Sequence, residues 1–159
     1  MLKLTKKADY GLIAMRHLTR VYPRSASAKD ISDYYGLPAP VLAKILQRLV
    51  RGGFLTSEYG TNGGYRLSRG PELITAFDIV RTIDGPIFLT SCFTENGDCE
   101  HHKKCSIRDP LRRIHEGIIS LLNEMTMSEL AADVDPTAGI SQNRLISNAN
   151  LTILSRQQL

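Results

Sequence analysis

Three cysteines lie close together in a chain of 159 residues that has no other cysteine, and their spacing suits chemistry. Cys92, Cys99 and Cys105 fall within fourteen consecutive positions, with six residues between the first pair and five between the second. Short turns around Asn96 and Gly97 can bring three thiolates onto one ion or cluster, which a regular helix or strand could not do. An odd, clustered set is a poor disulfide framework.

Three soft sulfur donors suit zinc, copper(I) or an iron–sulfur cluster. A structural zinc site usually contains a Cys pair separated by about two to four residues, and this chain has none, so the wider gaps favour a cluster. Zinc binding and plain thiols remain alternatives. A fourth ligand could come from elsewhere in the protein or from the acids and histidines of the segment, Glu95, Asp98, Glu100, His101 and His102.

The basic residues are concentrated in the first half of the chain. Residues 1–70 carry 12 Lys/Arg and 4 Asp/Glu, whereas residues 71–159 carry 8 and 12. A basic half suits a polyanionic partner such as nucleic acid. No segment approaches the roughly 20 consecutive apolar residues that span a bilayer, and Arg16 and His17 interrupt any signal-peptide core. We therefore expect a cytoplasmic protein, in which clustered thiols bind metal or do redox chemistry.

The elements that position these residues begin with three helices. Capping residues, apolar periodicity and Pro or Gly breaks predict them over residues 5–21, 28–35 and about 38–51. In the third helix Lys44, Arg48 and Arg51 share the face opposite the apolar stripe. The segments 54–59 and 65–67, joined by a Gly-rich turn, predict a β-hairpin. This order predicts a mostly α fold with a small β-hairpin wing, the winged helix-turn-helix, whose third helix enters the major groove of DNA.

The second half of the chain predicts three further helices. The first runs over residues 76–83 after the cap Thr75, and the second begins with Asp109 as cap and Pro110 at its first position. Leu111, Ile114, Ile118, Leu121 and Met125 then recur at heptad spacing, which favours a dimerisation seam. The third is a short helix over residues 128–134. We predict a DNA-binding domain over 1–85, a cysteine segment over 86–108, the dimerisation and short helices over 109–135 and a mobile tail over 136–159.

Several segments together resemble the Rrf-two (Rrf2) superfamily of winged-helix transcription regulators, which includes IscR, NsrR and RirA. The resemblance covers roughly residues 1–134. It is carried by the opening LTKKADYGL, the segment AKDISDYYGLPAPVLAKILQRLVRGGFLTSEYGTNGGYRLSR, the segment ITAFDIVRTIDGPIFLTSC and the cysteine spacing. Within the superfamily, GPIFLTSC and CSIRDPLRRIH are most similar to the regulator of the SUF iron–sulfur assembly system.

The resemblance implies a homodimer whose cysteines, Cys92, Cys99 and Cys105, hold a 2Fe–2S or 4Fe–4S cluster near the first helix of the partner subunit. IscR supplies a His three residues after the last cysteine, but Arg108 occupies that position here and cannot coordinate iron. NsrR-like members use an aspartate of the partner's first helix, and Asp9 matches it. We therefore expect Asp9 as the fourth ligand, with a solvated acid in the first helical turn as the alternative.

The expected function is a cluster-dependent repressor of iron–sulfur assembly genes, bound to a palindromic operator and not an enzyme. Sensing of nitric oxide, iron supply or redox state on the same fold is one alternative, and a small iron–sulfur carrier protein is another. Neither a membrane nor a small-molecule substrate is expected as a partner. The predicted DNA contacts are Lys6, Ser27, Pro40, Val41, Ala43, Lys44, Arg48, Arg51, Tyr59, Thr61, Asn62, Gly63, Gly64, Tyr65 and Arg66.

Overall fold

The computed structural model describes residues 4–60, 63–90, 93 and 104–132, and its elements confirm a mostly helical winged-helix fold. The first helices and the hairpin are α1 (Lys6–Val21), α2 (Ala28–Tyr35), α3 (Ala39–Arg51), β1 (Leu55–Glu58) and β2 (Gly64–Leu67). They are followed by a short 3₁₀ turn (Pro71–Leu73), α4 (Ala76–Asp84), α5 (Arg108–Glu124) and α6 (Met127–Ala131). Within these residues, no helix is long and apolar enough to cross a membrane.

The helices begin and end where local chemistry directs. The Thr5 hydroxyl accepts a hydrogen bond from the Ala8 amide at the start of α1, as predicted for this cap. Ser27 and Thr75 each form a reciprocal capping box with the aspartate three residues later, at the starts of α2 and α4. Gly36 ends α2 with φ of 64°, a left-handed conformation that glycine adopts without steric cost.

One hydrophobic core joins the helices of the domain. Its fully buried side chains come from α1, α2, α3, the segment before α4, α4 and α6, and the largest are Met15, Leu18, Ile31, Leu42, Leu46, Leu49, Ile74, Ile79, Val80 and Met127. Leu55 and Leu67, paired across the hairpin, add its base to this core. The core therefore fixes α3 and the wing relative to each other.

Backbone hydrogen bonds tie the wing to the start of α2. Ala26 and Tyr65 exchange two hydrogen bonds of 3.0 and 2.9 Å, so the hairpin is joined to the residue before the α2 cap. An added Cβ at Gly64 would lie 2.6 Å from the Ala26 carbonyl oxygen. Glycine is therefore required at this position by the close approach of two backbone segments.

The start of α5 differs from the sequence prediction. The helix begins at Arg108 with Ile107 as its N-cap, and no side chain caps it. Asp109, predicted as the cap, lies inside the first turn, where its carboxylate is 3.6 Å from the Arg112 guanidinium. An acid in that turn is still favoured by the helix dipole, and the helix starts two positions earlier than predicted.

α6 also begins earlier than predicted, and it returns to the N-terminal helices. Thr126 forms a capping box with Glu129, so the helix starts at Met127 rather than at Ser128. The Met127 amide donates to the Ile74 carbonyl and the Ala76 amide donates to the Met125 carbonyl, both at 2.8 Å. These bonds hold the fully buried Met127 in the core against α1. Residues 133 and 134 of the predicted helix lie outside the described residues.

Candidate nucleic-acid interface

The outward face of α3 carries three exposed cations. Lys44, Arg48 and Arg51 are all exposed, and the apolar positions between them, Leu42, Ile45, Leu46 and Leu49, are buried. In the part of the chain that the structure describes, no carboxylate forms an ion pair with any of the three. This face therefore presents positive charge that a phosphate backbone could neutralise.

Two clefts flank α3. One, of about 560 Å³, lies between α3 and the wing and is lined by residues including Ser27, Gln47, Arg51, Tyr59, Gly64 and Tyr65. The other, of about 390 Å³, lies between α3, the start of α1 and the end of α4, and is lined by Lys7, Val41, Lys44, Ile45, Gln47, Arg48, Arg51 and Ile83. The clefts bring together predicted residues that lie far apart in sequence.

The remaining predicted contacts occupy different environments. Lys6 and Pro40 are exposed, whereas Val41 and Ala43 are half-buried on α3. Tyr59 is 96% exposed beside the wing turn, so its ring is available to a partner. Gly63 lies against the backbone of Glu58 and Gly60. Thr61 and Asn62 lie outside the described residues.

Arg66 differs from the cations of α3 because it already has a partner. Its guanidinium forms an ion pair with Glu58 on the neighbouring strand, and both side chains are about half exposed. Any phosphate contact of Arg66 must compete with this carboxylate, or share the guanidinium with it. Arg66 therefore offers less free charge to a phosphate than the unpaired cations of α3 do.

Two residues of this interface were missed from the sequence. Lys7 lines the second cleft, although the prediction named only Lys6 of α1. Gln47 lines both clefts and is exposed. The sequence could have identified Gln47, because it lies three residues after Lys44 and so shares the cationic face of α3. It could not have identified Lys7, whose position at the cleft depends on how α1 packs beside α3.

Of the cysteine segment, the structure describes residues 86–90, 93 and 104–108. Cys105 is half-buried, three residues before α5, whereas Cys92 and Cys99 lie outside the described residues. Asp9 is exposed in the first turn of α1. Among the described residues, no three His, Cys, Asp or Glu side chains come together as a metal site. The four predicted ligands therefore stay a prediction.

An aromatic stack joins the cysteine segment to α5. The rings of Phe93 and His115 are stacked with centroids 5.3 Å apart, and Phe88 stacks on the same imidazole at 6.5 Å. Phe93 directly follows Cys92 in the sequence, so this stack anchors the chain beside the first cysteine to the second turn of α5.

The start of α1 is joined to the end of α4. The Thr5 hydroxyl donates to Asp84 Oδ1 at 2.6 Å, and the Thr5 amide is 3.3 Å from Oδ2. Asp84 is the last residue of α4, immediately before the chain continues to the cysteine segment. The entry to that segment is therefore held beside the helix that carries Lys7 and Asp9.

A cluster of titratable side chains lies between α1, which carries His17, and α2, which carries Asp30, Tyr34 and Tyr35. His17 packs edge-on against Tyr35 with centroids 5.6 Å apart and lies 5.8 Å from Tyr34. Burial lowers the pKa of His17, assisted by the Arg20 charge and opposed by the Asp30 carboxylate. The pKa of Asp30 is itself lowered by its hydrogen bonds with Ser27 in the capping box.

The similarity to known proteins extends over the three N-terminal helices, the hairpin and the cysteine segment. A family model described as Rrf2, iron-dependent transcriptional regulator, matches residues 4–133. CymR (YrzC), the global cysteine regulator of B. subtilis, is 32% identical, with a TM-score of 0.71 over 85% of this chain and 100% of that chain. Oxidized CymR of Staphylococcus aureus is 26% identical, with a TM-score of 0.66 over 84% and 99% of the two chains. IscR of T. potens is 26% identical, with a TM-score of 0.65 over 81% of this chain and 85% of that chain.

Proposed function

The chain belongs to the Rrf2 family of transcription regulators, and from that premise we propose that it is a cluster-dependent regulator of iron–sulfur assembly genes. The family consists of transcription regulators rather than enzymes, as the sequence predicted. The proposal has two parts, an output at the DNA and an input at the cysteines. Each part rests on different residues and is tested separately.

The output is binding of double-stranded DNA through α3 and the wing. The observation that carries this part is the unpaired cationic face of Lys44, Arg48 and Arg51, flanked on each side by a cleft. We propose that α3 enters the major groove while Lys7 and the wing contact the backbone on either side. A small iron–sulfur carrier protein would have no need of this face.

A homodimer would read the two halves of a palindromic operator in the cytoplasm. α5 buries none of its residues within one chain, and three positions of its heptad stripe are exposed, Ile114 at 52%, Leu121 at 42% and Met125 at 37%. An apolar stripe of this kind on a charged helix favours pairing with a second copy. The pairing would set the separation of the two α3 helices, and thereby the half-site spacing.

The input is an iron–sulfur cluster on Cys92, Cys99 and Cys105, with Asp9 of the partner subunit as the fourth ligand. The donor set fits this group, because three soft sulfurs are confined to fourteen residues and the half-buried Cys105 is not in a disulfide. When bound, a cluster supplies a redox-sensitive link among its ligands. The chain's own contribution is to hold Phe93 on His115 and the end of α4 on the start of α1, through the ring stack and the bond between Thr5 and Asp84.

The signal to which the protein responds is the last part of the proposal. We propose that the protein represses SUF-type genes while clusters are plentiful, with sensing of nitric oxide, iron supply or redox state as alternatives. The similarity to CymR, the global cysteine regulator of B. subtilis, favours a regulator of sulfur supply as a second candidate. The three clustered cysteines favour the first, since they offer three of the ligands that a cluster needs.

Anaerobic purification tests both parts. Iron, sulfide and zinc are measured in the purified protein, and binding to the promoter fragment of the assembly genes is compared before and after cluster removal. We expect iron and sulfide in comparable amounts and a change in DNA affinity on removal. Equimolar zinc without sulfide would reject the cluster. Failure to shift any promoter fragment at low salt, with transfer of the cluster to an acceptor protein, would favour the carrier function.

A further inference from the structure

Gln47 differs from every other exposed polar side chain of α3. The helix has the sequence APVLAKILQRLVR, and its remaining polar side chains, those of Lys44, Arg48 and Arg51, can only donate hydrogen bonds. The Gln47 amide both donates and accepts. It is exposed, and because it lines the clefts on both sides of α3, it lies at the crest of the helix between them.

The first turn of α3 cannot hydrogen-bond to bases through side chains. It consists of Ala39, Pro40 and Val41, which are apolar. In a helix-turn-helix protein the first residues of the recognition helix usually contact base edges. Here those residues can offer only apolar contact, for instance with a thymine methyl group. Hydrogen-bonded readout by this helix must therefore come from a later turn, where Gln47 offers both a donor and an acceptor.

The Gln47 amide is available for such a contact. Within the part of the chain that the structure describes, no hydrogen bond engages it. The cations beside it can supply the phosphate contacts that fix the helix in the groove. An uncharged amide gains little from the phosphate field, so its hydrogen bonds are best used on a base edge.

We infer that Gln47 determines sequence specificity by pairing with the adenine of an A·T base pair in the major groove. The carbonyl oxygen accepts from adenine N6–H, and the amide N–H donates to N7, which is the bidentate match for a glutamine side chain. This inference rests on the DNA-binding function proposed above. It deepens that function by naming the residue that selects a base, as distinct from residues that supply affinity.

The test is selection of binding sites from a random pool. Full-length wild type and Gln47→Ala are each incubated with double-stranded DNA carrying a random core of about 30 base pairs, and the bound fraction is enriched and sequenced. Wild type should enrich a motif with an A·T pair at one position of each half-site. Gln47→Ala should enrich the same motif with that position degenerate. Replacing the A·T pair by G·C should weaken wild-type binding about 5- to 150-fold and Gln47→Ala binding less than about 2-fold.

Two further variants separate base readout from phosphate contact. Gln47→Arg should move the preference from A·T to G·C, because arginine pairs with guanine O6 and N7. Lys44→Ala is the control, and it should weaken binding to both sites alike and lower the salt slope. An unchanged adenine preference in Gln47→Ala, or a Gln47→Arg protein that binds all sites more tightly without changing base, would overturn the inference alone. A wild-type protein that enriches no motif would overturn the DNA-binding proposal with it.

Discussion

Individual cations of this interface are not equivalent. Lys44 and Arg48 are exposed on α3 and border a cleft, whereas Arg66 forms an ion pair with Glu58. Each phosphate contact releases counterions from DNA, so an unpaired cation contributes more to salt-dependent affinity than one whose charge is already partly neutralised. The contribution of each residue therefore follows from its neighbours and not from its type.

Replacing Lys44 with Ala should weaken DNA binding and reduce its salt dependence. The slope of log K against log salt is negative, and the loss of one phosphate contact makes it less negative by about 0.9. Binding isotherms between about 50 and 200 mM salt would measure it. Arg113→Ala, which removes an exposed cation from α5, is the matched control and should leave the slope unchanged. Equal slopes for Lys44→Ala and wild type would mean that this face is not on DNA.

Replacing Cys99 with Ala should abolish the visible absorbance of protein purified without oxygen. A cluster that loses one of three thiolates is not retained, so iron and sulfide should fall with the absorbance. Ser106→Ala, beside Cys105 but with no thiol, is the control and should keep its spectrum. An unchanged spectrum for Cys99→Ala would remove this residue from the ligand set.

At the scale of elements, the sequence predicted most helix boundaries because the caps are local. Thr5, Ser27 and Thr75 each bond to an amide three residues ahead, an interaction visible in the sequence itself. Contacts between distant segments were not predictable in this way. Ala26 meets Tyr65, and Thr5 meets Asp84, only because the core brings their elements together.

The docking of α6 is the clearest case of a contact that pattern could not reveal. Five residues are too few for a reliable periodicity, and Met127 lay just outside the predicted helix. In the structure its side chain is fully buried. The sequence indicated a short helix but not the surface that it covers.

Replacing Met127 with Ala should destabilise the domain. Truncating a buried Met leaves a cavity and costs about 2–5 kcal/mol of unfolding free energy, measurable by urea denaturation. Ser128→Ala, at an exposed position of the same helix, should change it by less than about 0.5 kcal/mol. Similar values for the two variants would show that α6 is not part of the folded core.

The cluster of His17 with the two tyrosines should make stability depend on pH. Because burial lowers the pKa of His17, the folded state resists protonation more than the unfolded state does. The stabilising contribution of the neutral imidazole is fully present above the unfolded-state pKa of about 6.5, and it is lost as the pH falls below that value. His17→Gln should therefore show a smaller decrease in urea midpoint between pH 7.5 and 5.5 than wild type. Parallel decreases would assign the pH dependence to other groups.

For the whole molecule, α5 is the long helix that buries no residue inside one chain, although it packs beside α4. It is 17 residues long, and Ile114 and Leu121 of its heptad stripe are exposed. Its C-terminal end is fixed to the bundle through the bonds at Met125 and Met127. If a second copy packs on this stripe, the α3 helices of the two copies are held at a fixed separation.

Replacing Leu121 with Lys should convert the dimer to a monomer. A charge in the apolar stripe opposes its burial in a seam. Sedimentation velocity should show half the mass of wild type, and operator affinity should fall at least about 10-fold because one half-site alone is bound. Asn123→Lys places the same charge on the opposite face of α5 and should stay dimeric. A dimeric Leu121→Lys protein would place the interface elsewhere.

The burial of Met127 also sets an order of events during synthesis. The N-terminal core is incomplete until α6 can dock, so folding of the DNA-binding helices cannot finish until residue 131 has left the ribosome. By then all three cysteines have already emerged, since the last of them is Cys105. The thiols are thus exposed on a nascent chain before the domain closes. A ribosome-bound chain therefore exposes its thiols before it can present a complete helical core.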